Sequence, residues 1–571
     1  MNNGRRWTTL LGLIFLAFGV FLTGIHWGLP TSTVDFFLFG DQPRWSGRQV
    51  VAMEGAGRPD ANRAADVDRD PVAFTQSPVV MNATDAQRAE IIRRYRLFSN
   101  QPDEMTTMMS LAQMHPGRGD FDPRMYKYGG AWVYPVGGML RAAAAIGYIN
   151  PLVNDLAFYL DHPEVFGRFY VVARFYTVCW AVVGVWAVFR LAEFFASGLL
   201  MPALAALGYI FMPVVVNMAH EAKPHLPGAV LMLLAIIAAI RFVQTGQARW
   251  CIGTGLACGM AVGMVPSSAP IFVVIVMMAL IRGRRWGERF RIILAAGILG
   301  VLVYLLTNPY VPINLIYNRG LLKSHFSNTS VMYHISGAGL VHAVRLMMEG
   351  TGLAAGIFGA VGVAVFVMIG WKRRTHPDEV NGSLVAGWML GVPAMLVAVQ
   401  FALVAEGLPG EFGRFFVLPD VVLLIAALVA IVKLTPNVWM RLASWVIVIG
   451  GGVLFGSNYL GGFVRDSRPI TGRMLYAERL HELNEAGMKT MGIYADPAPY
   501  CLPPVDLFSW QLIRLPAGGE VNVHPDVLVR AVDSHQPPPP GYRRLPSISS
   551  HILPPTPISW ADKPMDIFVR Q

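Results

Sequence analysis

The sequence predicts an all-α polytopic membrane protein: a bundle of about eleven transmembrane helices, a long first external loop and a small external C-terminal α/β region. Three observations carry this. The chain of 571 residues is 54% hydrophobic and only 14% charged, where a soluble domain carries about 25% charged residues. Its apolar residues gather in repeated runs of roughly 20, the length that crosses ~30 Å of hydrocarbon. Arginine and lysine concentrate in alternate short connections, which marks those connections as cytoplasmic.

Taken in order, the first apolar run covers 8–29 behind Arg5 and Arg6, so the N-terminus is cytoplasmic and the chain emerges outside at Pro30. That run is too long for a signal-peptide core and lacks a clear cleavage site. Residues 30–169 form the external loop; inside it 41–100 is polar, and DAQRAEIIRRYRLF at 85–98 reads as a short amphipathic helix on the membrane surface. The segment 129–149 is apolar but broken by Pro135, Gly137, Gly138 and Arg141. It lies in or re-enters the outer leaflet, because counting it as a crossing would place the cationic clusters outside.

Further spans are expected at 170–193, 200–218, 226–243, 250–266, 268–281, 292–308, 351–371, 384–405, 416–433 and 442–460. Their cytoplasmic connections collect Arg190, then Arg241 and Arg249, RGRRWGERFR at 282–291, Lys372, Arg373 and Arg374, and finally Lys433 and Arg441. A transmembrane domain over 1–460 then leaves 461–571 as an external C-terminal region. There ERLHELNEAGMK reads as a helix and GIYADPAPY as a strand and loop, while Pro537–Pro540 favours extended backbone.

Net charge +10 would suggest nucleic acid in a soluble protein; here the cations set topology, and no nucleic-acid partner is expected. Cys179, Cys251 and Cys258 fall in apolar runs and Cys501 stands alone, so no disulfide framework forms. Gly255, Gly259 and Gly263 repeat every fourth residue, a pattern that lets helices approach closely.

The chemistry concentrates outside. Residues 101–134 carry Asp103 and Glu104, a second acidic pair Asp120 and Asp122, the cations Arg118, Arg124 and Lys127, and the aromatics Tyr126, Tyr128, Trp132 and Tyr134. Acids behind Pro102 suit a helix start. Acids, cations and aromatics beside a membrane also suit an enzyme that holds an anionic lipid and activates an acceptor. Two further external turns are charged: His220, Glu221, Lys223 and His225, and later Glu406, Glu411 and Arg414. Interfacial anchoring explains each one singly; together they would surround one cavity, and charge so close to lipid is costly. The two histidines and one glutamate are spaced too loosely for a metal motif.

This order of features resembles the GT-C superfamily of membrane glycosyltransferases that use polyprenyl-phosphate-linked sugars, and within it the protein-mannosyltransferase and aminoarabinose-transferase branch. The matching residues are PDE at 102–104, YKYGGAWVYP at 126–135, Arg174, the turn Ala222-Lys223-Pro224-His225 and GRFFVLP with Arg414. Two departures stand out: His225 occupies the place of the family's acidic residue, with Glu221 as a substitute, and the first loop is longer.

The resemblance implies inverting transfer of a sugar from a polyprenyl-phosphate donor to an acceptor hydroxyl on a lipid, glycan or protein. Asp103 would be the general base and Glu104 its partner. Lys127 and Arg414, with Arg174, would hold the donor phosphate, and Glu221, Lys223 and His225 form a second-turn site. Tyr126, Tyr128 and Trp132 would line the substrate. No cofactor is expected, with a divalent metal left open. The setting would be the plasma (inner) membrane, among membrane lipids, with the site and the C-terminus outside or periplasmic. A transporter or flippase of anionic substrates and a non-catalytic scaffold are the alternatives; a transporter would place charge at mid-span.

Overall fold

The computed structural model describes residues 3–56, 78–196, 198–323, 337–373, 382–405, 413–468, 471–493, 502–515, 523–531, 540–546, 548 and 559–571. Glu406, Glu411, Cys501 and most of the run 537–540 lie outside the described residues.

Among the described residues, seven helices are long and apolar enough to cross a membrane: Gly4–Leu22, Pro163–Ala192, His225–Thr245, Trp286–Thr307, Gly382–Ala402, Gly413–Leu434 and Val438–Asp466. Two helix pairs are apolar enough to add a span each if each bent pair is one span. Leu200–Ile210 and Pro213–Ala219 bend by 55°, and Ala338–Thr351 and Leu353–Met368 bend by 113°. The shorter apolar helices Ala248–Met264 and Pro266–Arg282 fill the two remaining expected positions. This is an integral, multi-pass membrane protein. The segment expected not to cross contains the helix Gly130–Ala145, with Pro135 inside it. At 1.5 Å per residue it is about 24 Å long, short of the hydrocarbon core.

The breaks have local causes. Pro213 lacks the N–H that would continue the preceding helix, and Gly352 at φ +89 takes a conformation that other residues rarely adopt.

The chain divides into two compact units. The first comprises Met1–Thr23, Ser110–Gly137 and Arg174–Leu460 and holds most of the spans. In it His225–Thr245 is buried along nearly its whole length. Ala248–Met264 packs on Trp286–Thr307 through the glycine stripe: a Cβ on Gly255 would lie 2.6 Å from the Ala296 carbonyl oxygen, and one on Gly259 would collide with the Gly300 carbonyl. Overpacking of this kind costs about 1–3 kcal/mol. Gly259→Leu is therefore expected to lower the unfolding temperature of the detergent-solubilised protein. Gly297→Leu, at a position with nothing within 4 Å, should leave it unchanged.

Asp420 is fully buried near the start of Gly413–Leu434. Its Oδ1 accepts from the Thr351 hydroxyl at 3.0 Å beside the second helix break, and Gly350 leaves it room by having no side chain.

The second unit comprises Gly24–Met109, Gly138–Ala173 and Gly461–Gln571. Its centre is a six-stranded sheet with strands β1 (Val79–Val80), β2 (Thr490–Ile493), β3 (Gln511–Arg514), β4 (Val527–Ala531), β5 (Tyr542–Arg544) and β6 (Met565–Arg570), in the order β1-β3-β2-β4-β6-β5. β3, β2 and β4 are parallel, β1 and β6 flank them antiparallel, and β5 is antiparallel to β6. Parallel strands sit in sheets covered on both faces and read as continuous apolar runs; Val527, Leu528 and Val529 are all buried. The expected tail helix forms as Gly472–Glu485, capped by Thr471.

The helix predicted at 85–98 forms as Asp85–Leu97 behind a Thr84/Gln87 capping box, but not on the membrane surface. Ile91, Ile92, Tyr95 and Leu97 are buried in protein, and Arg96, fully enclosed, donates to Asp35 at 3.0 Å and to the Trp45 carbonyl at 2.8 Å. A buried arginine must be paired. This one turns the helix toward the unit's interior.

Candidate active site

In the second unit, Glu104 opens the helix Glu104–Ala112 and Asp103 directly precedes it. The Gln101 side-chain oxygen accepts from the Asp103 and Glu104 N–H groups at 2.6 and 3.1 Å, so a carboxamide satisfies the helix start. Glu104 is fully buried, with the Ser99 hydroxyl donating to its Oε2 at 2.5 Å. Asp103 remains partly exposed. The two acids are thus unlike: Glu104 is fully buried, and Asp103 is partly exposed.

In the first unit, the turn between Pro213–Ala219 and His225–Thr245 forms a buried polar knot. Glu221 and Lys223, 1% and 2% exposed, pair at 3.5 Å. Asn217 donates to Glu221 Oε1 at 3.1 Å, and the Thr177 hydroxyl donates to the Glu221 carbonyl at 2.9 Å. Arg174, one helical turn before Thr177, is fully buried. His220 sits against the Val216 and Thr23 carbonyls at 2.7 and 2.8 Å. Burial outweighs these acceptors and, with the Arg174 charge nearby, pushes His220 down to about 4. The knot thus buries Arg174, Glu221 and Lys223 together.

A second constellation links three segments distant in sequence. Tyr128 meets His225 edge-on at 5.9 Å, His225 meets Phe415 at 5.0 Å, and the Arg414 guanidinium lies over Phe415 at 5.1 Å. His225 and Arg414 also line a cavity with Ser267, Ser268, Phe401 and Phe415. Its wall mixes cation and hydroxyl donors with apolar side chains.

The remaining residues expected at the site lie as follows. Lys127 is partly buried, next to Tyr128. Trp132 is fully buried against Tyr176, with ring centroids 5.4 Å apart. The Tyr126 hydroxyl is committed: it donates to Asp122 at 2.6 Å and accepts from Asn314, which also donates to Asp122 at 2.9 Å. Asp120 binds Arg124 at 2.5 Å. The second acidic pair and Tyr126 therefore shape their loop. Among the described residues no three of His, Cys, Asp and Glu converge as a metal cluster. Sequence reasoning passed over Asn217, Thr177, Ser99 and Gln101.

Residues 163–310 match the family described as dolichyl-phosphate-mannose-protein mannosyltransferase. The matched segment spans about a quarter of the chain and contains Arg174, His220, Glu221, Lys223 and His225. No curated protein matches the chain in sequence. Among solved structures, ArnT from Cupriavidus metallidurans bound to undecaprenyl phosphate is similar at 14% identity and TM-score 0.42, over 84% of this chain and 96% of that one. The Archaeoglobus fulgidus oligosaccharyltransferase, in complex with zinc and sulfate, is similar at 14% identity and TM-score 0.36, over 81% of this chain and 62% of that one.

Proposed function

We propose that this protein is an inverting glycosyltransferase that moves a sugar from a polyprenyl-phosphate donor to an acceptor hydroxyl on the outer side of the membrane. The observation that carries the reading is the buried knot of Arg174, Glu221 and Lys223 inside the segment that matches the mannosyltransferases. Burying three charges at the end of an apolar bundle is costly, and buried cations there meet the need of a departing lipid phosphate.

The chemistry is a single displacement. The acceptor oxygen attacks the anomeric carbon as the bond from that carbon to the phosphate oxygen breaks. The acceptor proton passes to Asp103, and the polyprenyl phosphate leaves with the bonding electron pair. A positioned base contributes typically ~10²–10⁴-fold. Cations preorganised around the phosphate stabilise the charge that develops there. Arg174 and Lys223, with Arg414 and Lys127, fill that role. Glu104 and Ser99 hold the acidic stretch.

Sealed membrane vesicles of defined orientation test reaction and sidedness together. With dolichyl-phosphate mannose and undecaprenyl-phosphate monosaccharides as donors, free lipid phosphate should appear in right-side-out vesicles when acceptor is supplied outside. Arg174→Ala should abolish it. Turnover that needs acceptor on the cytoplasmic side would overturn the sidedness, and no lipid-phosphate release with any donor would overturn the activity.

The two broken helix pairs favour a second reading, a transporter of lipid-linked anions, since broken helices mark such sites. In the same vesicles that reading predicts movement of intact donor between leaflets without release of lipid phosphate.

A further inference from the structure

Lys127 is one of the cations assigned to the donor phosphate, and its loop is held from far along the chain. The segment that holds it runs from Asn308 into the helix Tyr310–Tyr317. Upstream of Lys127, the Phe121 N–H donates to the Tyr310 hydroxyl at 3.1 Å. Downstream, the Gly130 N–H donates to the Asn308 side-chain oxygen at 2.7 Å. The Gly129 N–H donates to the Met264 carbonyl at 2.9 Å, and a Cβ on Gly129 would collide with the Gly263 carbonyl. The backbone that follows Lys127 is therefore seated directly on protein.

The backbone that precedes it is fixed by a ring of three side chains. Asn314, 6% exposed, donates from its amide nitrogen to Asp122 Oδ2 at 2.9 Å and to the Tyr126 oxygen at 2.6 Å. Tyr126 in turn donates to Asp122 Oδ1 at 2.6 Å. A carboxylate only accepts, so the asparagine presents its NH2 group and the phenol points its proton at Asp122. Every donor in the ring has an acceptor. Asp122 Oδ1 also accepts from the Arg124 N–H at 2.9 Å, which pins a residue at φ +53, where residues other than glycine rarely stand. Tyr126 immediately precedes Lys127, and the transfer step itself uses neither Asn314 nor Asp122. Lysine is a point charge on a flexible four-carbon stem, so the reach of its ammonium depends on where its backbone is held.

We propose that Asn314 is a positioning residue: through Tyr126 and Asp122 it holds the backbone of Lys127 so that the ammonium meets the donor phosphate. The proposal rests on the reading of Lys127 as a phosphate-holding cation, and it adds the residue that places it.

The test uses the full chain in lipid nanodiscs, with undecaprenyl phosphate and dolichyl phosphate as binding probes. Asn314→Leu keeps a branched side chain and removes the donor to both oxygens. Tyr126→Phe opens the same ring by one oxygen, and so serves if the first variant folds poorly. In both variants hydrogen–deuterium exchange over residues 124–130 should rise about tenfold or more, the effect of losing hydrogen bonds to a charged group. The helix Gly382–Ala402 should exchange as in the wild type. Affinity for the tighter-binding probe should fall about tenfold, as it should in Lys127→Ala. The double variant Asn314→Leu with Lys127→Ala should bind no more weakly than Lys127→Ala alone, because a residue that acts through Lys127 has nothing left to place. A residue that only stabilised the fold would add its own loss to that of Lys127.

Unchanged exchange in both ring variants overturns the proposal, and so does a double variant whose loss is the product of the two single losses. If exchange rises as expected while Lys127→Ala binds both probes as the wild type does, the hold on Lys127 stands and its phosphate assignment falls. If Lys127→Ala loses affinity but neither Asn314→Leu nor Tyr126→Phe does, Lys127 keeps its role and Asn314 has no part in placing it.

Discussion

Asp103→Asn is expected to lower turnover by about 10²–10⁴-fold, the usual contribution of a positioned general base, with little change in donor affinity. Asparagine keeps the size of the side chain and its capacity to accept a hydrogen bond, but it cannot take the acceptor proton. Glu104→Gln should cost far less. Glu104 is fully buried and tied to Ser99, and its replacement still offers an oxygen to the Ser99 hydroxyl. The asymmetry follows from position: Asp103 lies just outside the helix and partly exposed, while Glu104 begins it and faces inward. The competing account makes both acids a favourable helix start and nothing more. It predicts small effects of similar size on stability and none on chemistry. Steady-state kinetics of the two purified variants, with unfolding temperatures measured beside them, separate the accounts. Equal and small losses would move the base to another acid, such as Asp35 or Glu221.

What could be read from the sequence, and what could not, follows from how local each signal is. Hydropathy and the sidedness of arginine and lysine are local in sequence, and each expected span has a helix. The bends are less legible because each depends on one or two residues: Pro213 resembles any proline near a helix start, and Gly352 is one of many glycines in apolar runs. Pairings across long separations leave no local trace. Val79 and Val80 pair with Ile513 and Arg514 in the tail sheet, yet two valines in a polar loop do not announce a strand. The segment 85–98 reads as a surface helix because the partner that buries its Arg96, Asp35, is 61 residues away.

The site divides in the same way. Charges at 220–225 stand out against apolar flanks, so the knot was legible as a candidate, whereas Asn217 and Thr177 gave no sign that they would complete it. Tyr126 was legible only as a rim aromatic. Its hydroxyl is bound by Asn314, in the short helix Tyr310–Tyr317, whose sequence carried no chemical signal.

The largest combined effect is expected at Glu221 and Lys223, where stability and chemistry can be pulled apart. Each is almost wholly buried and the pair stands 3.5 Å apart. Removing one member of a buried pair typically costs about 3–5 kcal/mol, because the other charge is left without compensation, whereas replacing both with neutral groups of similar size is close to neutral. Lys223→Met alone should therefore lower the unfolding temperature sharply and abolish turnover. Adding Glu221→Gln should restore the unfolding temperature, since glutamine keeps the oxygen that accepts from Asn217. Turnover should not return with it. If Lys223 helps neutralise the departing phosphate, the doubly substituted protein still lacks that charge and should remain about 10²–10³-fold below wild type, the scale of losing one preorganised electrostatic contact. A doubly substituted protein that is both stable and fully active would make the pair a structural clamp and shift the phosphate site to Arg414 and Lys127. Arg414→Ala then becomes the decisive variant, because Arg414 lines the cavity beside His225 and belongs to neither partner of the buried pair.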